Sequence, residues 1–155
     1  LKTGEKLSEF DNFVNGILFI SKGDIRSSFK TCNNELLTIK NGSLVGLDCS
    51  WAQIEPSVDK VMNRTRLIPR MLPLLLAANP VNWGKPGKLT TAEALAAGLY
   101  LVGRKEQARN ILGAFRWGER FFELNLEPLE AYSQAKSSSE LVELQFEFFD
   151  LEHLR

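Results

Sequence analysis

The hydrophobic pattern is most informative at residues 72–78, where the sequence LPLLLAA forms an apolar run of strand length. Because no polar residue alternates with the apolar ones, the run predicts a strand buried on both faces of a parallel sheet. Two Pro/Gly-rich turns follow at 79–80 and 84–87. Thr90 or Thr91 is then expected to cap a helix whose first backbone N–H groups are open to a ligand. The pattern therefore predicts that a strand end, an irregular loop and a helix start converge on a ligand pocket.

A second apolar run occurs upstream, at residues 44–51, with the sequence LVGLDCSW. It predicts a buried strand that ends in a carboxylate, Asp48, followed one turn later by an indole, Trp51. Open α/β sheets bind ligands at the carboxyl ends of their strands. Asp48 is thus a candidate pocket residue, and its alternative role is to cap the turn that follows. Trp51 is either a second pocket residue or an ordinary core aromatic.

The rest of the chain is predicted to be mainly helical. Short extended or irregular pieces are expected at 17–20 and 36–40, with a turn at Asn41-Gly42. Helices are expected at 5–14, at 56–63, at 90–102, after Gly103 through Leu112, at 119–134 and at 139–152, the last capped by Ser139. The alternation of strands and helices indicates the α/β class, and residues 1–155 are enough for one domain with a single core.

Charge is unevenly distributed along a chain whose formal net charge is zero. Residues 56–120 hold eleven Lys and Arg against four acids, whereas residues 121–155 hold two basic residues against eight acids. Both stretches are compatible with ordinary helix surfaces, but the asymmetry also suits one face that binds a polyanion. RNA is the favoured partner because five basic residues lie in or beside the predicted pocket. These are Arg64, Arg66, Arg70, Lys85 and Lys88.

The composition also bears on cysteine chemistry, metal binding and membrane association. The two cysteines, Cys32 and Cys49, have no CxxC spacing and cannot form a framework of bridges, so they are expected to be reduced thiols, and no metal site is predicted. No apolar stretch approaches membrane-spanning length and no signal pattern opens the chain. We therefore expect a cytoplasmic protein that does not associate with membranes.

Four motifs identify a resemblance to a known family. They are LDCSW at 47–51, RxLPxLLAANPVNWGKPxKL at 70–89, TAEALAA at 91–97, and WGxxFxxxN at 117–125. In this order and spacing they resemble the S-adenosylmethionine-dependent aminocarboxypropyltransferases that modify a pseudouridine of small-subunit ribosomal RNA. The resemblance implies a SPOUT-like α/β fold, in which a sheet carries helices on both faces and the C-terminal part forms a trefoil knot. It further implies a monomer, and a chain that here lacks the first N-terminal strand of the family.

The resemblance also implies the chemistry. The 3-amino-3-carboxypropyl group of S-adenosylmethionine would pass to N3 of a pseudouridine or N1-methylpseudouridine, releasing 5′-methylthioadenosine. The protein must bury the methyl group and aim the propyl carbon at the base. Trp51 is the candidate for this selection, through cation–π attraction to the sulfonium of about 0.5–2 kcal/mol. Asp48 is the candidate catalytic residue. We favour electrostatic positioning by Asp48 over proton abstraction, because a carboxylate with an ordinary pKa near 4 is a poor base for N3.

Further cofactor contacts follow from the resemblance position by position. Leu47 would offer its carbonyl to the ribose, and Leu72 and Gly87 would offer backbone N–H and C=O groups to the adenine. Thr90 or Thr91, with Thr3, would hold the carboxylate and amine of the transferred group, as suits a helix N-terminus. Packing is the expected role of Trp83.

Two other functions stay open. An RNA methyltransferase could use the same pocket with the methyl group exposed, and would release S-adenosylhomocysteine. A non-catalytic ribosome assembly factor would instead bind precursor small-subunit RNA without cofactor, and its RNA affinity would survive the loss of Trp51 and Asp48.

Overall fold

Helices dominate the part of the chain that the structure describes. This computed structural model describes residues 17–20, 25–30, 36–39, 44–46 and 68–150. Its strands are β1 Ile17–Ile20, β2 Ile25–Lys30, β3 Leu36–Ile39, β4 Leu44–Gly46 and β5 Ile68–Met71. Its helices are α1 Thr91–Leu101, α2 Lys105–Leu112, α3 Gly118–Leu124, α4 Leu126–Gln134 and α5 Ser138–Phe148. The predicted helices at 5–14 and 56–63 and the turn at 41–42 lie outside the described residues.

The described strands form two small antiparallel sheets. In the first, the order is β4-β1-β5, and Leu18 of β1 lies opposite both Gly46 and Arg70. In the second, β2 pairs with β3, and the register shifts between Ser27 and Phe29. The extended pieces predicted at 17–20 and 36–40 are confirmed, while β2 was not predicted. A parallel sheet was the wrong expectation for these strands, because each described strand pairs only with antiparallel neighbours.

Residues 72–78 are buried and irregular, and they do not form the predicted sheet strand. The sheet strand ends at Met71, and the run itself makes one isolated antiparallel bridge, between Leu76 and Pro86. The prediction of burial is confirmed, since Leu75, Ala77 and Ala78 are fully enclosed. The apolar composition of this run therefore predicted its burial correctly, but it did not predict which groups bond to its backbone.

Helix α1 confirms the helix predicted at 90–102 and supplies much of the core. Its small residues Ala94, Ala96 and Ala97 are buried, which lets β1, β4, α2 and α4 pack closely around it. Helix α2 matches the helix predicted to end at Leu112. The core is completed by larger side chains from α1 to α4. These are Tyr100, Leu101, Leu112, Phe121, Phe122, Leu129 and Tyr132.

Two helix predictions need correction. The single helix predicted at 119–134 is two helices, because Asn125 leaves the helical conformation (φ −111°, ψ 16°) and turns its side chain into the core. The last helix is capped by Ser137 and not by Ser139. The Ser137 hydroxyl accepts the backbone N–H of Glu140 at 3.1 Å, which places the start of α5 one residue earlier than predicted.

The described helices include none that combines the length and apolar character needed to cross a membrane.

Candidate functional site

The end of β4 meets the start of α1, although β4 is not the buried strand that was predicted, since Val45 is 38% exposed. A Cβ added at Gly46 would lie 2.9 Å from Thr91 Cγ2 and 3.1 Å from Leu95 Cγ. Distances this short leave no room for a side chain at the last residue of β4. The strand end that leads into Leu47 and Asp48 is therefore packed directly against the first turn of α1.

Residues 72–78, which we call the clasped segment, bond along one edge to the loop that follows them. The Ala77 N–H donates to the Lys85 carbonyl at 3.0 Å, and the Ala77 carbonyl accepts the Gly84 N–H at 2.7 Å. The Gly87 N–H donates to the Leu75 carbonyl at 3.0 Å. These bonds fold residues 79–90, which we call the pocket loop, back along the clasped segment as a ribbon.

Helix side chains occupy the other edge of the clasped segment. The Leu74 N–H donates to Gln145 Oε1 at 2.7 Å, and the Leu74 carbonyl accepts the Tyr132 hydroxyl at 3.1 Å. The Leu76 N–H donates to Asn125 Oδ1 at 2.7 Å, and Asn125 Nδ2 donates back to the Leu76 carbonyl at 2.9 Å. Buried backbone groups need such partners, and here side chains supply what a neighbouring strand would supply in a sheet.

Glu93 joins the clasped segment, the pocket loop and α1. Its side chain is fully buried. Oε1 accepts the N–H groups of Ala78 at 2.7 Å and Asn79 at 3.0 Å. Oε2 accepts Asn79 Nδ2 at 2.9 Å, the Thr90 N–H at 2.7 Å and the Thr90 hydroxyl at 2.9 Å. Five donors surround one carboxylate, so the side chain serves as an acceptor at both oxygens.

Thr90 is the N-cap of α1, which resolves the choice between the two candidate caps. Its hydroxyl accepts the Glu93 N–H at 3.2 Å while donating to Glu93 Oε2, and the two residues form a capping box. The protein's own carboxylate therefore occupies the helix start. The Thr90 hydroxyl is bonded to Glu93 within this capping box. The roles of Thr90 and Thr91 at the transferred group stay predictions.

Gly87 and Leu72 both border the ribbon, and their adenine contacts stay predictions. Gly87 is buried with φ 71°, a backbone conformation that favours glycine. Its N–H is bonded to Leu75, so the predicted adenine contact is restricted to its carbonyl. Leu72 is buried directly after β5 and borders the same ribbon.

The structure brings two of the predicted RNA-binding lysines to the surface of the pocket loop. Lys85 and Lys88 are exposed there, while Arg70 is half-buried in β5. Trp83 lies on the same loop and is 55% exposed, so the expectation that it packs is wrong.

Six of the predicted site residues lie outside the described part of the chain, so their roles stay predictions. They are Thr3, Leu47, Asp48, Trp51, Arg64 and Arg66. Within the described ranges, no group of three His, Cys, Asp or Glu residues is placed to hold a metal ion.

Comparison with known proteins assigns the chain to a family. The family described as "Ribosome biogenesis protein, C-terminal" matches residues 26–149. The chain belongs to this family. A 16S rRNA aminocarboxypropyltransferase of Methanosarcina mazei is 53% identical over 106 residues, which cover 68% of this chain and 60% of that protein. The protein of the same description from Methanocaldococcus jannaschii is 41% identical over 110 residues, which cover 71% and 62%.

A solved structure is also similar in sequence. The SAM-dependent rRNA:acp-transferase of Vulcanisaeta distributa is 35% identical, and the match covers 65% of this chain and 59% of that one with a TM-score of 0.49. Against the curated family relatives that it matches, the chain spans about 60% of their length.

Sequence reasoning missed the residues that hold the pocket loop in place. Glu93 had a recognisable signal, because Thr90 and Glu93 have the spacing of a capping box at a helix start. Asn125 was noticed only as part of a family motif. The partners of Gln145 and Tyr132 carried no local signal, since they lie 71 and 58 residues away in sequence.

Proposed function

We propose that this chain carries out, as part of an S-adenosylmethionine-dependent rRNA aminocarboxypropyltransferase, the modification of small-subunit ribosomal RNA during ribosome biogenesis. The observation that carries the proposal is the identity of 41–53% to curated 16S rRNA aminocarboxypropyltransferases over about two thirds of the chain. That region includes the clasped segment and the pocket loop. Support also comes from the junction of β4, the pocket loop and α1, where Gly46 packs against Thr91 and Leu95 and Glu93 bonds to the loop.

The proposed reaction is a displacement at carbon. N3 of a pseudouridine or N1-methylpseudouridine attacks the propyl carbon bonded to the sulfonium, a C–N bond forms, and the C–S bond breaks. Its electron pair stays on sulfur, which leaves as the neutral thioether of 5′-methylthioadenosine. The N3 proton is lost to solvent or to a base. The main task of the protein is then to hold the donor so that the propyl carbon, and not the methyl carbon, faces the base.

The donor, S-adenosylmethionine, is proposed to bind at specific residues. The Leu72 backbone and the Gly87 carbonyl would contact adenine, Leu47 would contact the ribose, and Thr91 with Thr3 would hold the amino-acid end. The fit is supported by the buried, hydrogen-bonded ribbon that fixes Gly87, and by the close approach of Gly46 and Thr91. In this proposal S-adenosylmethionine supplies the electrophilic carbon.

Asp48 and Trp51 have the two remaining roles. Trp51 would pack on the methyl group and sulfonium and shield the methyl carbon from RNA. Asp48 would attract the positive charge of the donor.

The knotted SPOUT-like fold is also part of the proposal. It is supported by the way the clasped segment is enclosed, since four side chains from later in the described chain bond to its backbone. These partners are Glu93, Asn125, Tyr132 and Gln145. A segment surrounded by chain that follows it is what a C-terminal knot would produce. The protein is further proposed to act as a cytoplasmic monomer.

Product analysis tests the proposed function. The full-length protein would be incubated with S-adenosylmethionine and a small-subunit RNA hairpin containing pseudouridine, and the small product identified by mass spectrometry. We expect 5′-methylthioadenosine, with an RNA nucleoside that has gained the aminocarboxypropyl mass. S-Adenosylhomocysteine would instead indicate the methyltransferase, and RNA binding without turnover would indicate the assembly factor. Trp51→Ala should lower the rate and allow some methyl transfer.

A further inference from the structure

The tip of the pocket loop is a rigid turn. The Asn82 N–H donates to the Asn79 carbonyl at 3.2 Å and to Asn79 Oδ1 at 3.0 Å, and the Lys85 N–H donates to the Asn82 carbonyl at 2.9 Å. Asn79 is itself buried, and its Nδ2 is bonded to Glu93. The turn is therefore tied to the interior of the protein, and the backbone that carries the tip side chains is fixed by these bonds.

This rigid tip exposes apolar side chains beside positive charge. Val81 is 81% exposed and Trp83 is 55% exposed. Lys85 and Lys88 are exposed on the same loop, and residues 79–92 contain no acid. An exposed indole leaves apolar surface in water, which is unfavourable unless a partner covers it. A flat ring next to cationic side chains matches the chemistry of an unpaired nucleobase and its phosphates.

Phe146, another exposed aromatic residue, lies in a different electrostatic environment from Trp83. Phe146 of α5 has the same exposed fraction as Trp83, 55%, but its neighbours on the helix include Glu143 and Glu147. RNA phosphates would be repelled there, whereas they would be attracted at Lys85. Charge complementarity therefore assigns RNA to the pocket loop and not to α5.

We propose that Trp83 is a stacking platform for an unpaired RNA base, with Lys85 contacting the adjacent phosphate. The inference rests on the proposed function for its partner, small-subunit RNA, and adds a contact that orients that RNA. Trp83 lies four residues before Gly87, the proposed adenine contact, so the stacked base would be a neighbour of the acceptor nucleotide in the same unpaired stretch. Rigid presentation reduces the entropy lost on binding.

Fluorescence anisotropy with a labelled hairpin and a fully paired duplex tests the proposal on the full-length protein. Trp83→Ala should weaken binding to the hairpin about 5- to 100-fold, the effect typical of losing one base stacked on an aromatic ring. Trp83→Phe should retain most of the affinity, because it keeps a flat ring. Phe146→Ala is the matched control and should change nothing. Duplex binding should be insensitive to all three substitutions.

Salt dependence separates stacking from charge. Trp83→Ala should leave the slope of log affinity against log salt unchanged, while Lys85→Ala should reduce it by about 0.7, the value for one phosphate contact on a single strand. Thermal melting checks that Trp83→Ala folds. If it does not, the affinity of Trp83→Phe relative to a Trp83→Leu variant decides whether an aromatic ring is required.

The stacking proposal and the proposed reaction can fail separately. If Trp83→Ala binds the hairpin as tightly as the unmodified protein, stacking is refuted, even where that protein releases methylthioadenosine normally. If binding depends on Trp83 but no methylthioadenosine forms, the stacking contact stands and the proposed reaction fails. An unmodified protein that does not bind the hairpin would also overturn the stacking proposal.

Discussion

Replacing Glu93 with glutamine should destabilise the protein far more than its conservative chemistry implies. Glutamine has the shape of glutamate, but one of its two polar ends donates hydrogen bonds. In the structure both carboxylate oxygens accept, two donors on Oε1 and three on Oε2. Whichever way the amide is oriented, its NH₂ group must face donors in a fully buried site.

The expected loss of stability can be calculated from the donors that lose their acceptor. With the NH₂ group in the place of Oε1, the N–H groups of Ala78 and Asn79 lose their acceptor. With it in the place of Oε2, Asn79 Nδ2 and the Thr90 N–H lose theirs, and the Thr90 hydroxyl can turn to accept. Two buried donors are left unsatisfied in either case, at about 1–3 kcal/mol each. We expect a loss of about 2–6 kcal/mol, a large part of the roughly 5–15 kcal/mol typical of a domain.

Urea denaturation measures this loss, and hydrogen exchange shows where it acts. Exchange should accelerate first at the amides of Ala78, Asn79 and Thr90. Glu123→Gln is the control, because Glu123 forms an exposed ion pair with Arg120, and such pairs contribute only about 0–1 kcal/mol. If Glu93→Gln costs less than about 1 kcal/mol, Glu93 does not hold the pocket loop as described.

Three further predictions concern the core around the clasped segment. Gly118→Ala should lower stability by about 3 kcal/mol or more in thermal denaturation, because its Cβ would lie 1.9 Å from the Leu112 carbonyl oxygen, whereas Gly113→Ala, 3.3 Å from its nearest contact, should be tolerated. Asn125→Ala removes three buried hydrogen bonds and should cost about 2–4 kcal/mol, measured by urea denaturation against the unmodified protein. Burial raises the pKa of Tyr132, so the folded state favours the neutral phenol. This stabilisation is complete below the ordinary tyrosine pKa near 10 and is lost as the pH rises toward the raised pKa. Absorbance at 295 nm should therefore show no Tyr132 ionisation near pH 10 until the protein unfolds, and early ionisation would contradict the burial.

The sequence predicted α1, α2 and the burial of residues 72–78 because these depend on local composition. The small-residue helix α1 and the burial of residues 72–78 follow from apolar patterns that are continuous in the chain. The hydrogen-bond partners of the clasped segment do not follow from such local patterns. Its backbone bonds to side chains such as Glu93, Asn125 and Gln145, up to 71 residues away, and an apolar run carries no information about such partners.

The same limit explains the errors at helix boundaries. Asn125 divides α3 from α4 because its amide is needed by Leu76, a tertiary demand that overrides the helical pattern. Ser139 was predicted as the cap of α5 from a run of three serines, and the bond from the Glu140 N–H distinguishes Ser137. Motifs in the sequence were enough to propose a site, whereas the hydrogen-bond network that holds the pocket loop was visible only in three dimensions.

The central claim is that the propyl group, and not the methyl group, is transferred. Two samples of S-adenosylmethionine, one labelled in the carboxyl carbon and one in the methyl group, would be incubated separately with the full-length protein and the pseudouridine hairpin. The account predicts that the carboxyl label enters the RNA and the methyl label leaves in methylthioadenosine. Methyl label in the RNA, with the carboxyl label left in the small product, would contradict it.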